Sequence, residues 1–248
     1  MKNSRLLIDG DILCYRTCWA VQTEVEWDDG VVTLGTNLEE LKAQVKQTIE
    51  YWKTKLEVDT VVIALSDQEG KYFRHKILED YKAQRKSGRK PLGYKLLVKH
   101  LREEYTTMIL PECEADDVLG ILATDGTHDD IIISIDKDMY TIPCRYFNMD
   151  SETLEVISED IADYMHLYQT LVGDPTDNYK GCPGIGAKRA TGILREPGVK
   201  SGWQRVKEAF HKAGLTEDDA LVQARVSRIL RADDYDFKNE EVLLWSPA

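Results

Sequence analysis

The 248-residue sequence predicts an α/β fold, with a central and mostly parallel sheet in residues 1–157 followed by a helical region over residues 158–248. Two observations carry that prediction. Three short apolar runs, residues 5–9, 61–67 and 131–136, each stop on an aspartate (Asp9, Asp67 and Asp136), and helical patterns separate them. Apolar, β-branched runs of this length read as strands buried on both faces, and the helices between them supply the crossovers that parallel strands need. Beyond Ser158, by contrast, strand signals nearly vanish. Ligands of open parallel sheets bind beyond the carboxyl ends of the strands. Three strand-end carboxylates therefore converge on one place, where they repel one another unless a cation holds them.

The elements follow in order. Residues 12–21 have helical spacing, and residues 24–34 read as a hairpin turning at Asp28, Asp29 and Gly30. Asn37 with Glu40 three residues on is a capping-box start for a helix to about Leu56. After the second strand comes a basic helix, about Tyr72 to Arg85, and then a breaker-rich link over residues 86–93. A helix over about 94–105 precedes a short strand near Met108, and a further helix opens at Glu114 with acids in its first turn. The third strand leads to a strand pair at 145–149 and 153–157. Ser158 caps a helix to about Val172, and helices follow near 186–195, 202–213 and 216–231.

Composition narrows the function. A hydrophobic content of 42% supports a real core, and no apolar run approaches the roughly 20 residues that span a membrane. The five cysteines (Cys14, Cys18, Cys113, Cys144, Cys182) are scattered without zinc spacing, which fits a reducing cytoplasm and ordinary core thiols. A net charge of −12 argues against a polyanionic partner, but its distribution argues the other way. Residues 71–102 hold eleven Lys and Arg against Glu79 and Asp80, a local balance of +9, and a weaker basic stretch runs from Lys180 to Lys207. An acidic body with two basic segments suits a metal site flanked by phosphate-binding surfaces, and equally suits a solvated charged helix beside a loop.

Further acids are placed to join the three strand ends. Glu114 and Asp117 are three apart on one helix face with Asp116 at the flank. Asp136 and Asp138 are two apart and share a side if the strand continues, and Asp174 and Asp177 lie three apart at a helix end. Asp11 reads as a cap and Asp80 as a surface group. Acids in a first helical turn often do no more than favour the helix dipole, so each residue alone has a structural reading; the combination points to one edge of a sheet. An oxygen-rich, histidine-poor set suits magnesium or manganese, and two such ions can generate hydroxide and clamp a phosphodiester.

The turn at Gly181, Gly184 and Gly186 opens a helix with free backbone amides, an anion site to which Lys188 and Arg189 add charge. It matches neither the dinucleotide fingerprint nor the P-loop. Lys82 and Arg85 share a helix face and can bind a scissile phosphate, and Tyr81 beside them can stack on a base.

These segments, namely residues 7–10, 73–85, 114–117, 134–138 and 173–189, resemble in order the motifs of the 5′ nuclease (flap endonuclease) family, most nearly the bacteriophage 5′-3′ exonucleases and the 5′ nuclease domain of bacterial DNA polymerase I. The resemblance covers residues 5 to about 195. It implies a PIN-like α/β domain with a helical arch, here about 71–105, and a helix-three-turn-helix element, here about 170–195. It implies two-metal ligands at Asp9, Asp67, Glu114, Asp116, Asp117, Asp136, Asp138, Asp174 and Asp177, with Asp9 acting partly through water. Lys82 and Arg85 match the basic pair that contacts the scissile phosphate. Residues 180–189 match the duplex-binding turn, with Gly184, Gly186, Lys188 and Arg189 on DNA. In relatives that turn holds potassium through backbone carbonyls, by position those of Leu171, Val172, Lys180, Cys182 and Ile185. The short link at 86–93 makes the arch small, which puts the threading of a long single strand in doubt.

The expectation is a stand-alone, cytoplasmic, monomeric Mg²⁺- or Mn²⁺-dependent 5′-3′ exonuclease and flap endonuclease, acting on DNA and on RNA primers paired to DNA. Two alternatives stay open: a PIN-type ribonuclease of single strands, which has no need of the glycine-rich turn, and a DNA-junction binder that holds metal without cutting.

Overall fold

A computed structural model describes residues 4–84, 89–195 and 199–247. In chain order the elements are β1 (Arg5–Asp9), α1 (Gly10–Val21), the hairpin β2 (Thr23–Glu26) and β3 (Val32–Gly35), α2 (Leu38–Leu56), β4 (Thr60–Ala64), α3 (Arg74–Ile77), α4 (Tyr94–Glu104), β5 (Thr107–Met108), α5 (Ala115–Ala123) and β6 (Ile131–Ser134). They continue with β7 (Cys144–Asn148), β8 (Leu154–Ile157), α6 (Glu159–Val172), α7 (Ala187–Leu194), α8 (Val199–Lys212), α9 (Glu217–Ser227), β9 (Tyr235–Asp236) and β10 (Glu241–Val242). Asn37 caps α2 by accepting the Glu39 and Glu40 N–H groups, and Ser158 caps α6 through the Ile161 N–H.

Six strands form the main sheet in the order β5-β4-β1-β6-β7-β8, parallel throughout except for β8. The chain leaves β1 toward β4 and β5, then crosses to β6 on the other side. β1 is thus the switch point of the sheet, and the crevice beyond its carboxyl end is where ligands of such sheets bind. Alternation along β1 sorts the core: Leu6 and Ile8 pack under α1, α2 and α4, whereas Leu7 packs with Val62 and Ile132 against α5. Each such side chain contributes about 1.5–3 kcal/mol on burial. Helices α6 to α9 form their own core around Leu171, Trp203, Val206 and Phe210. After α9 the chain returns to the sheet side of the molecule, where Ile229 and Leu230 join the core under α5.

Three local expectations are corrected. The basic helix foreseen to Arg85 is a single turn, Arg74–Ile77, after which Leu78 is extended. Tertiary contacts override helix propensity there: Arg74 and Tyr81 are pulled inside, and Lys82 takes a left-handed φ of 57° with its N–H donating to the Asp177 carbonyl. The strand β6 stops at Ser134, and residues 137–141 form a 3₁₀ turn, so strand geometry does not align Asp136 with Asp138. The last helix ends at Ser227 rather than near 231. Arg85 and residues 86–88 of the link following it lie outside the described residues.

Candidate active site

Asp9 ends β1 and also starts α1, because its Oδ1 accepts the Ile12 N–H at 3.0 Å. Its Oδ2 accepts the Ser134 hydroxyl at 2.8 Å from the end of the neighbouring strand, and it is 1% exposed. Burial, followed by the charges of Asp11 and Asp136, pushes its carboxyl up to about 7 against those two hydrogen bonds. Asp116, in the first turn of α5, is raised well above the carboxylate range by burial and by the charges of Asp9, Asp136 and Glu114. These shifts place Asp9, Asp116 and Asp136 in one electrostatic group at the switch point.

A second group adjoins it. Asp138 is pushed up to about 6 by burial and by Asp136, Asp177 and Asp174, with Lys137 opposing. Its Oδ1 accepts the Gln169 amide at 2.6 Å. Asp174 accepts the Lys137 ammonium at 2.9 Å and the Thr176 N–H at 2.7 Å; burial works against it, yet these donors hold its carboxyl below the usual range. Asp136 accepts the Asp138 N–H at 2.8 Å and belongs to both groups.

Glu114, Tyr81 and Lys82 close the site on the side of α3. The Glu114 carboxylate accepts the Tyr81 hydroxyl at 2.8 Å, the Lys82 ammonium and the Arg74 guanidinium at 3.1 Å. Burial alone would raise Glu114, but Lys82 and Arg74 outweigh it and lower its pKa. Lys82 also stands 3.8 Å from Asp177, which accepts the Tyr81 hydroxyl at 3.1 Å.

Not every expected residue faces this cluster. Asp117 is fully buried and turned into the protein: both of its oxygens accept from Arg74 at 2.7 Å, one also from the Leu230 N–H and the other from the Glu114 N–H. With its lone pairs engaged by protein donors, Asp117 is a structural partner of Arg74 here, and its reading as a metal ligand is corrected. Tyr81 is 4% exposed with its hydroxyl between two carboxylates, so it offers no stacking face to a base. Asp67 lies three residues past the end of β4, and its oxygens accept the Glu69 and Glu112 N–H groups, which fold the adjoining loops. Asp11 is no cap; it accepts the Ser66 N–H and the Tyr94 hydroxyl, tying α1 to α4. Arg85 cannot be placed among the described residues.

The glycine-rich turn packs backbone on backbone. A Cβ at Gly173 would fall 2.5 Å from the Lys180 carbonyl carbon and one at Gly181 2.5 Å from the Leu171 oxygen, and both glycines have positive φ. The Leu171 carbonyl accepts the Cys182 N–H and the Cys182 carbonyl accepts the Ile185 N–H, so two of the carbonyls expected to hold potassium line this turn. Val172 and Lys180 flank the contact. Gly184, Gly186 and Lys188 are exposed at the start of α7, while the Arg189 guanidinium donates to the Gly184 carbonyl at 2.7 Å and braces the turn.

Arg74, Ser134, Lys137 and Gln169 orient the acids and were not foreseen. The signal for Lys137 was its place between Asp136 and Asp138; Arg74 is indistinguishable in sequence from the surface cations around it. Among the described residues, the trio of ligand atoms that lie within 4.8 Å of one another is Asp125, His128 and Asp130, at the opposite end of the sheet, where Arg5 already pairs with both aspartates. The acids at the switch point form a wider arrangement. All their donors are oxygens, and Asp9, Asp116 and Asp138 are raised first by burial and then by neighbouring carboxylates, so the residues fit hard divalent cations.

A pH dependence follows. Asp9 and Asp138 bind protons more tightly folded than unfolded, so between about pH 4 and 7 the folded state holds more protons, and stability falls as pH rises. The lowered acids Glu114 and Asp174 work oppositely, but in a more acidic window. Thermal unfolding without divalent ions is expected to show Tm dropping from pH 5 to pH 8, with added Mg²⁺ restoring most of the loss at pH 8 and little at pH 5. A metal-independent, flat profile would contradict it.

Comparison with known proteins agrees with this geometry. The family described as 5′-3′ exonuclease, N-terminal resolvase-like domain, matches residues 4–165. An exodeoxyribonuclease of Enterobacteria phage T3 is 29% identical over 98% of this chain and 92% of its own length. An exonuclease of Escherichia phage T7 is 30% identical over 98% of this chain and 93% of its own length. Among solved structures, a bacteriophage T5 flap endonuclease in complex with DNA and metal ions has the same fold, with a TM-score of 0.61 at 18% identity over 90% of this chain and 89% of that one.

Proposed function

The chain belongs to the 5′-3′ exonuclease family, and from that premise we propose that it is a divalent-metal-dependent phosphodiesterase that degrades duplex DNA from 5′ ends and cuts 5′ flaps. The observation that carries this reading is the buried Asp9 at the switch point, crowded by Asp116 and Asp136, with the Lys82 ammonium beside Glu114. Two Mg²⁺ or Mn²⁺ ions fit the donor set. Asp9, Glu114, Asp116 and Asp136 would hold one, and Asp138, Asp174 and Asp177, with Asp136 between, the other; Asp67 is bound into its loop. The ions supply water activation and neutralise charge on the phosphodiester.

The chain's own residues do the rest. Lys82, held by carboxylates in the absence of substrate, transfers its hydrogen bonds to the scissile phosphate and stabilises the charge that develops there. The exposed residues Gly184, Gly186 and Lys188 bind the duplex backbone, and the carbonyls of Leu171, Val172, Lys180, Cys182 and Ile185 would hold a K⁺ ion that, when bound, would stiffen this turn. Contacts of this kind read phosphates rather than bases, so an RNA strand paired to DNA is also a substrate. The protein acts as a monomer in the cytoplasm of the host cell, in keeping with five free cysteines and phage relatives. No helix among the described residues is long and apolar enough to cross a membrane.

A time course on 5′-labelled flap DNA with Mg²⁺ tests the proposal; binding without cleavage under any divalent ion would overturn it. In the same assay Lys82→Ala is expected to lower kcat by about 10²–10³-fold with duplex Kd nearly unchanged. Equal losses in both would refute a transition-state role for Lys82.

A further inference from the structure

The reading of the glycine-rich turn as the duplex-binding element leaves a neighbouring feature unexplained. Between α7 and α8 lies a cleft of about 390 Å³ that shares Ile185 with the turn and is lined by Arg195, Arg205 and Lys212 against one acid, Glu208. Glu208 accepts the Gln204 amide, whereas the arginines are fixed at the end of α7: Arg195 donates to the Gly192 carbonyl at 2.9 Å and Arg205 to the Leu194 carbonyl at 3.0 Å. The cleft is thus cationic in a chain whose net charge is −12.

An independent observation comes from Gly192. It sits inside α7, where glycine weakens a helix relative to alanine. Close packing does not require it, because a Cβ built there would meet nothing within 4 Å, and its φ is not in the left-handed range. The space is therefore open to an external body. Gly192 lies four residues after Lys188 on the same face of α7, and Arg195 caps that helix at its C-terminus. A smooth strip runs from the turn to the cleft with a cation at each end. Its length, about 10 Å from Lys188 to Arg195 at about 1.5 Å per residue, equals about three base-pair rises of about 3.4 Å along a duplex axis.

We infer that the α7–α8 cleft is a second phosphate site, which takes the backbone of duplex DNA a few nucleotides beyond the turn, and that Gly192 lets that backbone approach the helix. The inference rests on the turn being the duplex-binding element. It makes the length of duplex held by the enzyme, and not the chemistry of cutting, the property set by Arg195, Arg205 and Lys212.

The test compares flap substrates whose duplex is too short to pass the turn with substrates long enough to reach the cleft. Kd is measured by anisotropy in Ca²⁺ across a range of salt. Arg195→Glu and Lys212→Glu are expected to weaken long-duplex binding about tenfold each and to make the log Kd against log salt slope shallower by about 1 or more per residue. Gly192→Ala is expected to raise Tm while weakening long-duplex binding, two opposite signs that a merely structural role would not produce. Wild-type affinity for long duplex in all three variants would overturn the inference. Failure of the wild type to bind either substrate would instead overturn the reading of the turn, which separates the two failures.

Discussion

Asp116→Ala and Asp136→Ala are each expected to lower flap cleavage by on the order of 10³-fold or more while raising the Tm of the metal-free protein at pH 8. Both signs come from one cause. Asp9 and Asp116 are raised first by burial, and the charges of Asp9, Asp116 and Asp136 repel one another across the end of the sheet in addition. Deleting one charge relieves the fold and removes a donor to the ions. A catalytic loss through misfolding would instead lower Tm. Unfolding curves and single-turnover rates on the same preparations separate these outcomes, and undiminished cleavage by either variant would sink the two-metal proposal. The extra stability should shrink toward pH 5, where the Asp9 carboxyl, pushed up to about 7, is already protonated in the wild type.

Arg74→Met is expected to destabilise the protein by about 3–5 kcal/mol, lowering Tm by roughly 6–20 °C in a chain of this size. Arg74 is 1% exposed and bonds to the Asp117 carboxylate through both terminal nitrogens, to Glu114, and to the Val226 and Arg228 carbonyls at 2.9 and 2.6 Å. Removing it strands a buried Asp117 charge and two backbone acceptors. Methionine retains most of the volume, so the loss measures the unpaired polar groups rather than a cavity. Pairing the change with Asp117→Leu should recover part of the stability, because the stranded carboxylate is then gone. Chemical denaturation of the two single variants and the double variant forms the cycle; a loss below about 1 kcal/mol for Arg74→Met would refute the account.

The strands β1, β4 and β6, the aspartate that ends β1, the hairpin at 23–35, the capped helices α2 and α6 and the helical final third were all legible, since each rests on local periodicity or on a cap. The site was legible as a composition and less so as a geometry. Asp9 and Asp136 stand where apolar runs end, and that position survives folding because the buried run fixes the register. Asp67 is held differently: β4 ends at Ala64, and the Asp67 oxygens accept the Glu69 and Glu112 N–H groups of the loops that follow.

By itself the sequence determined the parallel sheet with a carboxylate at the end of its first strand, and the glycine-rich turn that precedes α7. Periodicities of two and 3.6 residues say which face of an element is apolar, and no distant residue is needed to read them. Tertiary structure alone decided what each buried charge meets. Arg74 pairs with Asp117 43 positions away and with Val226 152 positions away, and these contacts turn Asp117 inward, bury Tyr81 and break the basic helix so that Lys82 reaches Glu114. A cation in a basic run looks alike to its neighbours until burial removes water from one of them, and burial is a property of the whole fold.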